Sequence, residues 1–524
     1  MAKRALVLLI LDGWGIGKKD NSNPIYKAQP ANLNHIRLNY PAGTLQAAGI
    51  AVGLPWNEPG SSEVGHMTLG AGKVLYQDYP RISLAIRDGS FFRNKELLGA
   101  INSAKNRKTK VNLVGLVGES SNDSSFEHLE ALVQMVEDEG AGYALHLFTD
   151  GKDSSPRGAN QFLYRLSQDH IASLSGRFFA MDKDFHWERT KRCYDALVGL
   201  SQPPTQSLDI PTLLSTSYQR DLTDEFIPPT LLREDLAIKE GDSVIFFNFQ
   251  EDGVRQITEM LVNPQAGGAP DAVTGIKELA THSIPENLHL VTLTDYGRKF
   301  NLPVVFSQER VINPLGKVLA DAGKVQLRIG ETEKYAHLTY FFDGMDELLF
   351  PNEYRVFIPS QESARVVEHP EMRARDIVIR TITALNEGIY DFILINLANP
   401  DAVAHAGNFD VALKTITFVD EQIGLLLKAV LSSGGILVVT SDHGNVEVMM
   451  DIKTGLVDTR HNTSSVPIYV VAEGYQRQKT EAQAEEIEKI NTGVLSDVAP
   501  TILELMGVAQ PAEMSGMSLL KLLR

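Results

Sequence analysis

The chain has a single cysteine, Cys193, so it cannot close an intrachain disulfide. That excludes the disulfide-stapled secreted frameworks and suits a reducing, cytoplasmic setting. A partly buried, inert thiol is the plain expectation for it. Long apolar runs are also missing: no stretch approaches the roughly 18 apolar residues that span a bilayer. The opening MAKRALVLLILDGWG has a leader-like look, yet its apolar run from Ala5 to Leu11 is only a strand's length. It ends in Asp-Gly rather than at a small-residue cleavage site. Positive charge is scarce, with 49 Lys and Arg against 66 Asp and Glu and a net charge of −17. Nucleic acid and anionic membrane surfaces call for a basic face, so neither is expected as a partner. A small anion in a local basic pocket remains compatible with that total. Internal repeats and low-complexity tracts are absent too.

What is present is an ordinary globular composition, 43% hydrophobic and 22% charged, over 524 residues. Single cores stop growing near roughly 250–300 residues, so at least two domains are expected. Short apolar runs each end in a polar or glycine-rich turn: ALVLLILDGWG, VNLVGLVGES, YALHLFTDG, SVIFFNF, DFILINLANPD and GILVVTSDHG. Continuous runs of this length suit strands buried on both faces, as in parallel sheets. Helical spacing lies between them, over Ser125 to Glu139, Gly158 to Leu174 and Asp410 to Leu431. Alternation of the two predicts an α/β architecture. Candidate linkers are Gln77–Ile82 and Phe306–Asn313.

Ligands of such sheets collect at the carboxyl ends of the strands. Those ends are chemically loaded here, with Asp12, Asp150 and Asp153, Asn248, Asp401, and Asp442 beside His443. Asp401 and His405 are four apart, so one helical turn would face both toward one metal ion. His461 lies in TRHNTSSVP, a loop. Carboxylate plus imidazole suits Mn²⁺ or Zn²⁺. Taken singly, each aspartate reads as a turn former and each histidine as an ordinary residue. Their recurrence at strand ends is the signal. A serine beside two divalent ions is a plausible nucleophile, and Ser61 and Ser62 stand in GSSEVGHMTLGAGKVLYQD. Alone, that Ser-Ser-Glu triplet reads as a helix cap.

The stretches LDGWG, SSEVGHMTLGAGKVLYQD, FTDGKDSSP, GRFFAMDKD, WER, FFNF, RIGETEKYAH, NLANPDAVAHAG, SDHGN and DVAPTILELMG run in order from residue 8 to residue 507. In these the chain resembles the cofactor-independent (2,3-bisphosphoglycerate-independent) phosphoglycerate mutases of the alkaline phosphatase superfamily. The resemblance implies an alkaline-phosphatase-like metal-binding domain, residues 1–76 with 311–524, split by an inserted α/β substrate domain, residues 77–310. It implies Asp401, His405 and His461 as ligands of one metal ion, and Asp12, Ser62, Asp442 and His443 as ligands of the other. Ser62 would carry the phosphoryl group, Lys334 would steady its oxygens, and Asp153 would be the acid/base for the substrate hydroxyl. Mn²⁺ is the expected metal, the partner a small phosphorylated metabolite, the state a monomer. Domain closure would exclude water while the phosphoserine exists.

The chain departs from the family pattern in the substrate pocket. GESSNDSSFEH stands where the family has a GGVHSH-type stretch, placing Asp123 at a substrate-contacting histidine and Ser125 at its neighbour. FFNFQEDGVRQI replaces two arginines with Gln250 and Gly253, and Lys152 and Lys183 replace two more; Arg189 matches. Arginine grips carboxylate and phosphate with a planar fork that lysine does not reproduce. Either 3-phosphoglycerate is held with help from residues such as Arg177 or Arg255, or the substrate is a less anionic phosphate ester. A phosphohydrolase or phosphotransferase on the same metal centre, and a retired scaffold, are the competing functions; the intact ligand set argues against the last.

Overall fold

In the strand Leu6–Leu11 every residue is buried, and side chains alternate between two cores. Val7, Leu9 and Leu11 join a cluster with Ile393, Ile395, Ile416 and Val419; Leu6, Leu8 and Ile10 join another with Leu394, Val438 and Ile502. A strand with apolar side chains on both faces requires covering layers on both, which is why the run is continuous rather than alternating. It pairs in parallel with Phe392–Leu397 on one side and Ile436–Thr440 on the other. The sheet extends to eight strands among the described residues, from Glu353–Ile358 at one edge to Gly493–Val494 at the other. Val466–Ala472 enters antiparallel.

This computed structural model describes residues 4–119, 122–201, 209–262, 284–361 and 366–524. Ser120 and Ser121 of the GESSNDSSFEH stretch lie outside them. The eight-stranded sheet belongs to a compact unit made of Met1–Gln77 and Glu309–Arg524. A second unit, Asp78–Gln308, carries its own sheet of seven strands. There Lys110–Val117 lies between Gly142–Thr149 and Ser243–Phe246, all parallel, and Thr230–Leu231 is the antiparallel edge. Its two faces again bury separate clusters, Val111, Leu113 and Val117 on one and Val114 and Leu116 on the other. The α/β class expected from the apolar runs is the observed one.

Helices Phe126–Asp138 and Phe409–Ser432 occupy the first and last of the expected helical stretches. The middle one does not hold. Gly158 to Leu174 contains only a short helix, Asn160–Leu163, and then strand Ile171–Gly176. Ile171 and Leu174 pair with the strand Gly142–Thr149, and that ladder outweighs a marginal helical period. The expected linker Gln77–Ile82 is likewise mostly helix, Asp78–Asp88. No helix among the described residues is long and apolar enough to cross a membrane.

Candidate active site and metal centre

Five segments of the first unit bring their polar ends together. Asp12 follows strand Leu6–Leu11, and Lys334 closes the turn after strand Gln326–Glu331. Asp401 and His405 ride one turn apart on helix Asn399–Ala406, after strand Phe392–Leu397. Asp442 and His443 follow strand Ile436–Thr440. Ser62 is the first residue of helix Ser62–Ala71, whose N-cap is Ser61, accepting from Val64 N at 3.4 Å. The capping reading therefore holds for Ser61 and leaves the Ser62 hydroxyl free to face the carboxylates.

Ser62 Oγ is 3.0 Å from Asp12 Oδ1, 3.0 Å from His443 Nε2 and 3.1 Å from Lys334 Nζ. Lys334 Nζ also lies 3.0 Å from Asp12 Oδ2 and 3.7 Å from Asp401 Oδ2. Burial opposes the charge on every one of these groups, and their mutual attraction overcomes it. Burial raises Asp12, but Lys334 and His443 hold it far below the usual carboxylate range. Burial lowers His443, but Asp442, Asp12 and Asp401 push it up to about 10. Lys334 is likewise held above its ordinary value by Asp12, Asp401 and Asp442 against burial. Asp401 is depressed by His405, His461 and Lys334 although burial raises it.

Two triads have ligand atoms mutually within 4.8 Å: Asp401 with His443 and His461, and Asp12 with Asp442 and His443. His405 Nε2 meets His461 Nε2 at 2.9 Å and Asp401 Oδ1 at 3.4 Å. Two imidazole nitrogens aimed at each other, beside a carboxylate, make a donor set that suits a divalent cation. Buried Asp442 Oδ2 lies 3.1 Å from His66 Nδ1 and 3.7 Å from His443 Nε2. The residues present thus fit divalent ions.

A second layer holds these side chains, and the residue types alone did not single it out. Asn396 Nδ2 donates to Asp12 Oδ2 at 2.7 Å and sits 3.1 Å from His66 Nε2. His66 Nδ1 reaches Ser62 O at 2.8 Å. Asn445 Nδ2 donates to Asp401 Oδ1 at 2.9 Å. Glu447 accepts from Gly15 N and from Asn445 N, both at 2.9 Å. For His66, Asn396 and Asn445 the available signal was their place inside the matched stretches GHMTLG, NLANPD and SDHGN; Glu447 lies two residues beyond the last. Gly13 explains part of the LDGWG turn. Its φ is +69°, and an added Cβ would meet Asp401 Cβ at 2.9 Å.

The second unit holds a separate charged cluster. Asp150 and Asp153 follow strand Gly142–Thr149, and Arg177 follows strand Ile171–Gly176. Arg177 Nη1 donates to Asp150 Oδ1 at 2.6 Å and Asp153 Oδ2 at 2.8 Å, and Nη2 to Asp123 Oδ2 at 2.8 Å. Burial raises Asp123 above its ordinary value despite Arg177. Lys183 pairs with Asp252 at 2.9 Å. Arg189 reaches Asp182 at 3.3 Å and stacks over Phe178. Lys152 is exposed, and Ser125 is the N-cap residue of helix Phe126–Asp138. Gln250 N donates to Asp123 O at 3.1 Å. A Cβ on Gly253 would lie 2.7 Å from Met181 Cε, so a side chain there would have to displace the flexible end of Met181. Arg177, expected only as a residue that could compensate for the missing arginines, is the hub. Cys193 is fully buried, and burial pushes its thiol up to about 12, so it is inert.

Residues 4–510 match the metalloenzyme superfamily. The chain is 38% identical to 2,3-bisphosphoglycerate-independent phosphoglycerate mutase 2 of Methanosarcina acetivorans, over 99% of this chain and 98% of that one. It is 39% identical to the 2,3-bisphosphoglycerate-independent phosphoglycerate mutase of Cellvibrio japonicus, over 99% of each. Among solved structures it resembles a phosphoglycerate mutase of Leishmania mexicana, with a TM-score of 0.51 and 25% identity, covering 99% of this chain and 98% of that one.

Proposed function

The chain belongs to the 2,3-bisphosphoglycerate-independent phosphoglycerate mutase family, and from that premise we propose that it moves the phosphoryl group of phosphoglycerate through Ser62. It is an isomerase of a small phosphorylated metabolite, interconverting 3-phosphoglycerate and 2-phosphoglycerate, a glycolytic step. It uses divalent metal ions.

The observation that most supports the route is the Ser62 hydroxyl, 3.0 Å from a carboxylate and an imidazole and 3.1 Å from an ammonium. Asp12, Ser62, Asp442 and His443 would hold one ion, and Asp401, His405 and His461 the other. Divalent ions bound there would supply Lewis acidity, which would lower the Ser62 hydroxyl pKa and neutralise phosphoryl oxygens. Ser62 Oγ forms the new O–P bond as the substrate's C–O–P linkage breaks at phosphorus. Lys334 holds the transferring oxygens by charge. Asp153 gives a proton to the glycerate oxygen that leaves and takes one from the hydroxyl that receives the group back. Lys152, Lys183, Arg189 and Asp123 contact the glycerate.

Mixed carboxylate and imidazole ligation supports Mn²⁺, with Zn²⁺ the other candidate. The protein works as a cytoplasmic monomer. The test is incubation of Mn²⁺-loaded protein with 3-phosphoglycerate, without added 2,3-bisphosphoglycerate, followed by phosphorus NMR. Growth of 2-phosphoglycerate is expected. Release of inorganic phosphate in its place would mean a hydrolase and overturn the reading.

A further inference from the structure

The second unit gathers more acid than base around Arg177, whose side chain is 13% exposed. Three carboxylates, Asp123, Asp150 and Asp153, surround Arg177 at 2.6–2.8 Å. Of the other cations, Lys183 is engaged by Asp252 and Arg189 by Asp182, while Lys152 is exposed. Two of the three partners of Arg177 have other reasons to be there. Asp150 Oδ1 accepts from Lys152 N at 3.3 Å and Asp153 N at 3.2 Å, and its Oδ2 accepts from Ser154 Oγ at 2.5 Å, so it shapes the loop. Asp153 is the most open of the three, its side chain 31% exposed against 10% for Asp123 and 1% for Asp150. Asp123 is different. Its backbone carbonyl is fixed by Phe249 N and Gln250 N, and its buried carboxylate accepts from Arg177 Nη2.

A carboxylate or phosphate ligand binds arginine through the edge that these oxygens occupy. A phosphoglycerate carries both groups. Any anionic group of the ligand that takes Arg177 must therefore exchange with an internal carboxylate rather than add to a vacant cation. We infer that Asp123 is a specificity-determining residue: an internal carboxylate that competes with the ligand's own anionic group for Arg177 and so sets substrate affinity low. This rests on reading the Arg177 cluster as the seat of the phosphoglycerate. It also means that Arg177 carries recognition here, without the residues at 250 and 253.

The test is calorimetric titration of 3-phosphoglycerate into metal-loaded Ser62→Ala protein, comparing Asp123 with Asp123→Asn, which keeps shape and the backbone bonds while removing charge; KM is compared in the Ser62-containing pair. Freeing one charge-assisted bond for the ligand is worth a factor of about ten or more in affinity. Asp123→Asn is expected to tighten binding by at least about that factor and to lower KM in step. Asp184→Asn is the charge control: it removes an exposed carboxylate whose charge acts on Lys183, without touching Arg177. It is expected to change affinity less than about threefold. Equal or weaker binding by Asp123→Asn, or an equal gain from Asp184→Asn, overturns the inference. Should Asp123→Asn fold poorly by thermal unfolding, Asp123→Ser carries the same expectation. The titrations are made in the Ser62→Ala background, which binds without passing the phosphoryl group on, so a wild type that forms no 2-phosphoglycerate would sink the proposed function while the comparison still decides the role of Asp123.

Discussion

Lys334 is the residue on which the site's charge balance turns. Its ammonium touches Ser62 and Asp12 at once, inside a site holding three carboxylates. A preorganised cation at a point of developing charge is worth on the order of 10²–10³ in rate. Lys334→Met is therefore expected to lower kcat by about that factor, with KM much less affected, in a steady-state assay. Ser62→Ala is expected to abolish transfer altogether while metal content by elemental analysis stays near wild type; near-normal turnover would end the phosphoserine route. A different kind of residue is His146, fully buried in the second unit, its Nδ1 2.8 Å from Ser173 Oγ and its Nε2 3.2 Å from Asn112 Oδ1. Burial lowers it to about 3, and His128 to about 4. Both fold neutral and protonate once unfolded, so the unfolded state binds more protons below the ordinary histidine value near 6.5. Stability is complete above that value and is lost as pH falls toward 4 and 3. Thermal unfolding followed from pH 7 to pH 4 should show a falling Tm, with a shallower slope in His146→Gln; an equal slope would remove His146 from the account. At this scale the residues with unusual chemistry were legible, because aspartate and histidine at strand ends stand out. Asn396, Asn445 and His66 were not, since an amide or a lone histidine has too many ordinary uses.

Helix Ser62–Ala71 shows how an element is shaped by what it approaches. Gly65 sits inside it, where alanine would ordinarily add about 1 kcal/mol of helix stability. Here an added Cβ would lie 2.4 Å from the carbonyl oxygen of Asp442 and 2.7 Å from its Cβ, neither of which is the end of a flexible chain. The clash wins, and the strand-end loop carrying Asp442 and His443 must move. Gly65→Ala is expected to cut divalent-metal affinity by at least about tenfold, the second-layer scale, in a chelator competition titration, with little loss of helical circular dichroism. Unchanged metal affinity would show that the loop yields freely. Strands were the best-read elements, since continuous apolar runs such as LVLLIL and FILINL have one structural use when covered on both faces. The helix expected over Gly158 to Leu174 failed because Ile171 and Leu174 serve the neighbouring strand, a long-range pairing that local spacing does not encode.

The molecule's two units are each a sheet with a core on either face, and each presents its chemistry at the carboxyl ends of parallel strands. That much followed from apolar runs ending in acid or histidine. The order and sidedness of the strands did not, because a parallel crossover leaves no mark on the spacing of either strand it joins. The pocket departures at Asp123, Lys152, Lys183, Gln250 and Gly253 pointed at a changed site, but their consequence needed coordinates: Arg177 appears as the shared partner only when the two loops carrying Asp123 and Asp150 with Asp153 are seen around it. The account as a whole stands on the phosphoryl group passing through Ser62. The direct measurement is to quench metal-loaded protein during turnover of 3-phosphoglycerate and locate any added phosphate by peptide mass mapping. A phosphate-sized mass increase confined to the peptide containing Ser62, absent in Ser62→Ala, is the predicted result. Turnover with an unmodified Ser62, or with the phosphate on another side chain, would contradict it.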